Sequence, residues 1–159
     1  MWKRRFAGVC GFVLAVSQSV TVLGQDQPGH NVYLQGGPYI HFNSRDDFEG
    51  VPFVAAIEFD HPSRWFYGLS VFNNSFGEAA GYVFGGKTFP VSGGPWHFKL
   101  SAGAVCGYND EHEEDLPIRF GGGCGLGIIP TFGYKKNRVG FDVGLFGQSG
   151  IVFLIGADL

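Results

Sequence analysis

The C-terminal stretch 139–159 reads VGFDVGLFGQSGIVFLIGADL, and its pattern decides the fold. Apolar side chains recur at every second position in two runs, first Val139, Phe141, Val143 and Leu145, and then Ile151, Phe153, Ile155, Ala157 and Leu159. Successive side chains of a β-strand point to opposite faces, so this period of two predicts two strands, each with one apolar face. The turn 148–150 joins them.

The same alternation recurs upstream, where polar turns separate the runs. It predicts eight strands, at 31–42, 52–60, 65–73, 79–89, 95–107, 118–130, 139–147 and 151–159. No stretch after residue 25 has the length or the period of an apolar helix. The chain is therefore predicted to be all-β.

Composition narrows the class of protein. The 159 residues are enough for one domain with a sizeable core. Apolar residues make up 45%, which excludes disorder, and the formal net charge of −3 lacks the basic footprint of a nucleic-acid-binding protein. Glycine is the outlier with 27 residues, while charged residues reach only 16%.

The first residues predict export. Lys3, Arg4 and Arg5 precede an apolar run from Phe6 to Val16, and the stretch from Ser17 to Gly24 follows with small residues at its end. This order is typical of a secretory signal peptide over 1–24, and the run is too short to span a bilayer. We therefore expect residues 25–159 to form a single mature β-barrel domain.

An even number of strands, an export signal and a final strand that reaches Leu159 together predict an eight-stranded antiparallel up-and-down transmembrane β-barrel in the bacterial outer membrane. Closure is required because lipid offers no hydrogen bonds to an open sheet edge. A soluble secreted barrel or sandwich has the same period and signal, and it stays open as the alternative. Termini on the periplasmic side make 43–51, 74–78, 108–117 and 148–150 the outer connections.

The alternation also predicts what faces the lumen. An apolar upper half that could bind an acyl chain is assigned to Val54, Ala56, Ser70, Phe72, Gly81 and Val83. A polar floor below it is assigned to Glu58, Asp60, Lys87, His97, Lys99, Asp142 and Asp158. The sixth predicted strand adds a row of glycines, Gly121, Gly123, Gly125 and Gly127. The row either hollows a narrow shaft for a hydrocarbon chain or merely relieves crowding.

Groups able to do chemistry stand at the outer strand ends. His41 ends the first strand, and Asn74 and Ser75 follow the third. A histidine can take a proton from a hydroxyl and return it, and an amide or hydroxyl can orient the ring or stabilise an oxyanion. Polar strand ends without any catalytic role are the alternative.

These residues resemble those of the outer-membrane lipid A palmitoyltransferases (PagP), eight-stranded barrels with an apolar upper interior. The family's active site combines a histidine late in the first strand with an Asp-Ser pair after the third. His41 and Ser75 match it, within the stretch Phe72-Asn73-Asn74-Ser75-Phe76 followed by Ala80-Gly81-Tyr82. The resemblance also implies a lateral gate for lipid at Pro38, Pro52 and Pro130.

The chain departs from the family at three points. Asn74 stands in place of the aspartate and cannot carry its negative charge. The amphipathic N-terminal helix of the better-known members is absent, and so is a proline in the seventh strand. The family selects acyl length with a glycine at the shaft floor, near Val83 here, and a bulkier residue there implies a shorter chain.

The predicted function is transfer of a palmitoyl chain from a glycerophospholipid to a hydroxyl of lipid A in the outer leaflet. His41 is the expected general base, with Asn74 and Ser75 as orienting or oxyanion-binding groups. Neither a cofactor nor a metal is expected, and the partners are outer-membrane lipids around a monomer. The alternative is a non-enzymatic small barrel, of the adhesion or serum-resistance type or a binder of hydrophobic ligands.

Two cysteines follow the signal peptide, Cys106 and Cys124. They lie nearly symmetrically about the outer connection between the fifth and sixth predicted strands, and both fall on the outward face. Cross-strand neighbours of this kind can form a disulfide in an oxidising compartment. We therefore predict a stabilising Cys106–Cys124 bridge.

Overall fold

The computed structural model describes residues 31–42, 52–73, 79–108, 118–146 and 150–159. The predicted signal peptide and the greater part of the outer connections lie outside these ranges. Every regular element in them is a β-strand. Among the described residues no helix is long and apolar enough to cross a membrane.

Nine strands follow in chain order. They are β1 Asn31–His41, β2 Phe53–Asp60, β3 Trp65–Asn73, β4 Ala79–Pro90, β5 Trp96–Cys106, β6 Arg119–Gly121, β7 Cys124–Lys136, β8 Val139–Phe146 and β9 Gly150–Asp158. Neighbours pair antiparallel throughout. Seven predicted strands agree with observed ones to within two residues at either end.

Two pairings close the sheet. β1 pairs with β9, and β5 pairs with β7, so that eight strands form a continuous ring and β6 stands outside it. The prediction of a closed eight-stranded antiparallel barrel is confirmed. Closure gives each strand of the ring a paired neighbour on both sides, whereas an open sheet would have two edge strands.

The sixth predicted strand, 118–130, is wrong in its bounds. The chain turns back at Gly122 and Gly123, so the barrel strand β7 begins only at Cys124 and continues to Lys136. What precedes the turn is β6, a strand of three residues that pairs with the start of β7. The mistake arose because β6 and β7 read as one continuous period of two across the glycines.

The two barrel ends differ. The near end holds Asn31, Asp158 and the turns after β2, β4 and β7, while the far end holds His41, Asn73, Cys106 and Phe146. Large apolar side chains on all eight barrel strands are exposed on the outer surface, among them Ile40, Phe53, Leu69, Val83, Leu100, Ile128, Phe141 and Ile155. The alternation thus turns apolar residues outward and leaves a mixed set for the interior.

A disulfide joins Cys106 to Cys124 at the far end, as the sequence predicted. The two residues are register partners on β5 and β7, with Cα atoms 4.1 Å apart. Their separation of 18 positions encloses the connection between these strands. The bridge therefore ties together the two ends of the longest connection between barrel strands at this end.

Replacing both cysteines, in C106S/C124S, is expected to lower the free energy of unfolding by about 3 kcal/mol, because the unfolded chain then regains the freedom of a loop of this length. Urea titration in detergent micelles, with the folded fraction read from heat-modifiable gel mobility, measures the change. An unchanged midpoint would show that the bridge adds nothing to the β5–β7 ladder.

Candidate functional site

The barrel interior is divided into two halves of opposite character. Buried polar and charged side chains collect towards the near end, and they include Glu58, His97, Lys99, Ser101 and Asp142. The far half holds an apolar cluster of Tyr39, Val54, Phe72, Ala80, Tyr82, Val105, Ile129 and Val152. An eight-stranded barrel is just wide enough for its side chains to fill, so both sets pack across the lumen.

Ion pairs organise the polar half. Glu58 accepts hydrogen bonds from Lys99 Nζ and from Gln35 Nε2, the latter at 3.2 Å. His97 Nε2 lies 2.7 Å from Asp142 Oδ1. Each of these contacts joins different strands, so the network braces the lumen from several sides.

A third cation lies nearer the end of the barrel. Lys135 Nζ lies 2.7 Å from Asp158 Oδ1 and 3.3 Å from Asp60 Oδ2. The ring of Tyr33 lies between the two lysines, 4.1 Å from Lys135 Nζ and 5.3 Å from Lys99 Nζ. Burying charges is tolerable here because each lysine has both a carboxylate and an aromatic face.

Aromatic rings close the far half. Phe146 lies at the centre, with its ring centroid 5.2 Å from that of Tyr39 and 5.7 Å from that of Phe72. Tyr82 stacks on Phe84 at 4.9 Å. We call Tyr39, Phe72 and Phe146 the aromatic plug. It fills the space that the sequence assigned to an open shaft.

A cavity lies between the plug and the polar floor. Its walls are Gln35, Val54, Ala56, Glu58, Phe66, Ser70, Tyr82, Phe84, Lys99, Ser101, Ile129, Thr131, Asp142, Phe146, Val152 and Leu154. The volume is about 60 Å³, against about 10–15 Å³ for one water. The cavity has the volume of a few waters, and a long acyl chain needs the plug to move.

Four of the six predicted acyl-binding residues face this interior. Val54, Ser70 and Phe72 are buried, and Ala56 lines the cavity. Val83 is 67% exposed and lies on the outer surface, so its assignment, together with that of Gly81, is wrong. The acyl-length role predicted near Val83 falls with it.

The inward and outward faces of β4 were exchanged in the prediction, and the structure shows why. In β4 both faces are apolar or glycine from Ala79 to Gly86, so no polar residue marks the outside. The register decides instead: Ala80 pairs with Phe72 and Tyr82 with Ser70, and residues opposite each other on paired strands face the same side. Lys87 is misassigned for the same reason, and its Nζ lies 5.3 Å from the centroid of Trp65.

The glycine row does not leave a groove. Gly121 lies in β6, outside the ring, and a Cβ placed on Gly127 would meet the side chains of Val105 and Tyr82. The hydroxyl of Tyr82 lies 3.3 Å from the Gly127 carbonyl oxygen and 3.3 Å from Ser101 Oγ. A tyrosine from β4, two strands away in the ring, therefore occupies the room that the missing side chain provides.

The three predicted gate prolines differ in what they interrupt. Between β1 and β2 the ladder runs to Pro38, and Tyr39 N still donates to Pro52 O at 2.9 Å. The interruption at Pro38 falls on its other side, where the β1–β9 register skips Gly37 and Pro38 and then resumes at Tyr39. Neither Pro38 nor Pro52 therefore ends the ladder between β1 and β2, and the ladder between β1 and β9 resumes after Pro38.

Pro130, by contrast, does end a hydrogen-bond ladder, the one between β7 and β8. Backbone N–H groups alternate between the two edges of a strand, and Leu126 N donates to Ile118 O, away from β5. Pro130, four residues on, lies on that same edge and has no N–H to donate to β8. The β7–β8 register accordingly begins at Thr131 and continues only towards the near end.

The predicted catalytic residues are placed only in part. His41 is the last residue of β1, where its Cα partner is Gly150, and its side chain is outside the described set. Asn74 and Ser75 lie outside the described residues and follow Asn73, the end of β3. β1 and β3 flank β2 at the far end, and alternate strands lie about 10 Å apart.

In the described ranges no group of three or more His, Cys, Asp or Glu side chains could hold a metal ion.

Sequence reasoning identified the polar floor but missed its pairings. It also missed the plug and the ending of the β7–β8 ladder at Pro130. Phe146 carried a usable signal, since it shares the inward phase of Asp142 and Gly144 on β8.

No family model matches this chain, and no curated protein matches its sequence.

Breaking the Glu58–Lys99 pair is expected to be costly. Lys99→Met alone leaves the buried carboxyl group of Glu58 without its cation, and it should lower the free energy of unfolding by about 3–5 kcal/mol. The double variant E58L/K99M removes both charges and should recover most of that loss. Urea unfolding of the single and double variants completes the cycle, and additive losses would contradict a buried pair.

Proposed function

We propose that this protein is an outer-membrane acyltransferase that moves a fatty acyl chain from a glycerophospholipid to a hydroxyl of lipid A. The observation that carries the proposal is the division of the lumen: an apolar half with a cavity lies below the end of β1, and a charged floor stops it from below. An alkyl chain fits only the apolar half.

The outer surface supports insertion in a membrane. Large apolar residues are exposed on the outer surface of every barrel strand and form a belt. Contact of this belt with water is unfavourable, whereas contact with lipid is not. Aromatic pairs gather towards the near end of that belt, with Trp96 5.4 Å from Phe132 and Phe59 5.2 Å from Tyr67 between ring centroids. Aromatic girdles at the membrane interface are typical of outer-membrane barrels.

The chemistry proposed for the far end is a direct acyl transfer. His41 takes the proton from the acceptor hydroxyl, whose oxygen attacks the ester carbonyl of the phospholipid. Asn74 and Ser75 orient the imidazole or donate to the oxyanion of the tetrahedral intermediate. The ester C–O bond then breaks, and the leaving lysophospholipid oxygen takes the proton back from the imidazolium.

We propose that displacement of the aromatic plug is the step that limits the rate of this reaction. A chain that enters the cavity must displace Phe146 from between Tyr39 and Phe72. Phenylalanine can turn only if neighbouring space opens, and the cavity beneath provides some of it. We therefore propose that the resting enzyme is closed and that lipid binding opens the plug.

Deletion of the central ring tests the step. Phe146→Ala is expected to raise the initial rate of acyl transfer several-fold, because the chain no longer has to displace the ring, at a stability cost of about 3–5 kcal/mol. Phe141→Ala, on the outward face of the same strand, is the control and should leave the rate unchanged. Transfer of labelled phospholipid chains in mixed micelles gives both rates.

The function itself is tested on lipid A. Mass spectra of lipid A from cells with the gene should show a palmitoyl-sized gain that cells without it lack. His41→Ala should reduce that gain by about 100-fold or more, since general base catalysis contributes this much, and Ser75→Ala should reduce it less. Identical spectra with and without the gene would sink the proposal.

A second candidate function is favoured by one observation. The plug and the ion pairs together fill much of the lumen, as in a barrel that serves only as a stable membrane scaffold for adhesion. Such a protein would bind host cells or serum factors through its outer connections and leave lipid A unchanged. A rise in transfer rate with Phe146→Ala excludes it.

A further inference from the structure

Lys87 is an exception on the outer surface of the barrel. It is the register partner of two exposed residues, Trp65 on β3 and Leu100 on β5, so its side chain points out of the ring as theirs do. On the outward faces of the eight barrel strands, as far as the structure describes them, the other charged residue is Lys136, the last residue of β7. Lys87 is therefore a single cation within a belt of apolar side chains.

The described part of the chain provides no anion for this cation. Lys99 and Lys135, the lysines of the lumen, each have both a carboxylate and an aromatic ring as partners. Lys87 has rings alone, since its Nζ lies 5.3 Å from the centroid of Trp65 and 6.0 Å from that of Phe89. It takes part in none of the ion pairs of the described residues. A cation in apolar surroundings needs a partner, and here the partner has to come from outside the chain.

The position of Lys87 along the barrel indicates the kind of anion. Lys87 lies three residues before Pro90, where β4 ends, which places it roughly 10 Å along the strand from the near end. Trp65 and Trp96 are the first residues of β3 and β5 at this end. Tryptophans at strand ends mark the level of the lipid headgroups, and the phosphate of a glycerophospholipid lies at that level.

The surface beside Lys87 leaves room for the rest of a lipid. Gly85, two positions towards the far end, faces outward as well, and its register partners are Tyr67 and Ala102. A Cβ placed on Gly85 would meet nothing nearer than the Phe66 carbonyl oxygen at 3.7 Å. An acyl chain that leads away from a phosphate on Lys87 can therefore approach the backbone of β4 closely.

We propose that Lys87, Trp65 and Gly85 form a binding site for one anionic glycerophospholipid, with its phosphate on Lys87 Nζ and an acyl chain over Gly85. The lipid belongs to the leaflet at the near end, which is the inner leaflet in the orientation that the sequence predicts. An anionic headgroup is preferred to a zwitterionic one, because the ammonium group of the latter competes with the lysine for the phosphate. The inference uses the membrane insertion of the proposed function and is independent of acyl transfer.

The site is tested by lipid competition. The barrel in a non-ionic detergent is mixed with phosphatidylglycerol and phosphatidylcholine of identical chains, and native mass spectrometry measures which lipid stays bound. Wild-type protein is expected to retain one phosphatidylglycerol in preference. Lys87→Met should lower that occupancy about fivefold, since one lysine near a membrane surface contributes about this factor. Lys87→Arg should keep the preference, and Gly85→Leu should lower the occupancy of both lipids because it fills the place of the chain.

Lys136→Met is the matched control, since it removes an exposed cation at the end of β7 and should change neither occupancy. Equal phosphatidylglycerol occupancy in wild-type protein and Lys87→Met would overturn the site. Excess inorganic phosphate should leave the lipid bound because it lacks the acyl chain, and displacement would show a site for free phosphate instead. Lys87 and Gly85 lie outside the lumen, so lipid A left unchanged by the gene would refute the transferase and leave this site intact.

Discussion

Closure of eight strands into a ring is the constraint on which the rest of the molecule depends. It gives every barrel strand a paired neighbour on each side, and it commits every second side chain to a lumen hardly wider than those side chains. That lumen has to be filled with groups that suit one another across it. The chain fills it with ion pairs at the near end and with rings at the far end.

This division is energetically coherent. Charges in a protein interior are tolerated only when paired and hydrogen-bonded, and here Glu58 pairs with Lys99 and Asp142 with His97. The apolar half needs no partners and can exchange one apolar occupant for another at low cost. The ring of Phe146 and a segment of alkyl chain are such occupants, and under the proposed function this exchange admits a lipid chain to a filled lumen.

Much of the fold could be predicted because period-two alternation is local information. Apolar Phe153 indicates the outward face of its strand, and charged Asp142 indicates the inward face of its own. β4 could not be assigned, because both of its faces are apolar and only pairing with β3 separates Val83 from Tyr82. The plug depends on ring positions brought together from β1, β3 and β8. The break at Pro130 could not be predicted, because the edge of β7 on which its missing N–H falls follows only from the hydrogen bond of Leu126 N to Ile118 O.

The catalytic assignment depends on whether the far half can accept a chain at all. A crystal structure of the mature barrel grown in a linear alkyl detergent measures this directly. We expect continuous density for an alkyl chain between Val54 and Val152, with the Phe146 ring turned away from Tyr39 and Phe72. An unmoved ring, with detergent found only along the outer belt, would contradict a lumen that serves lipid chemistry.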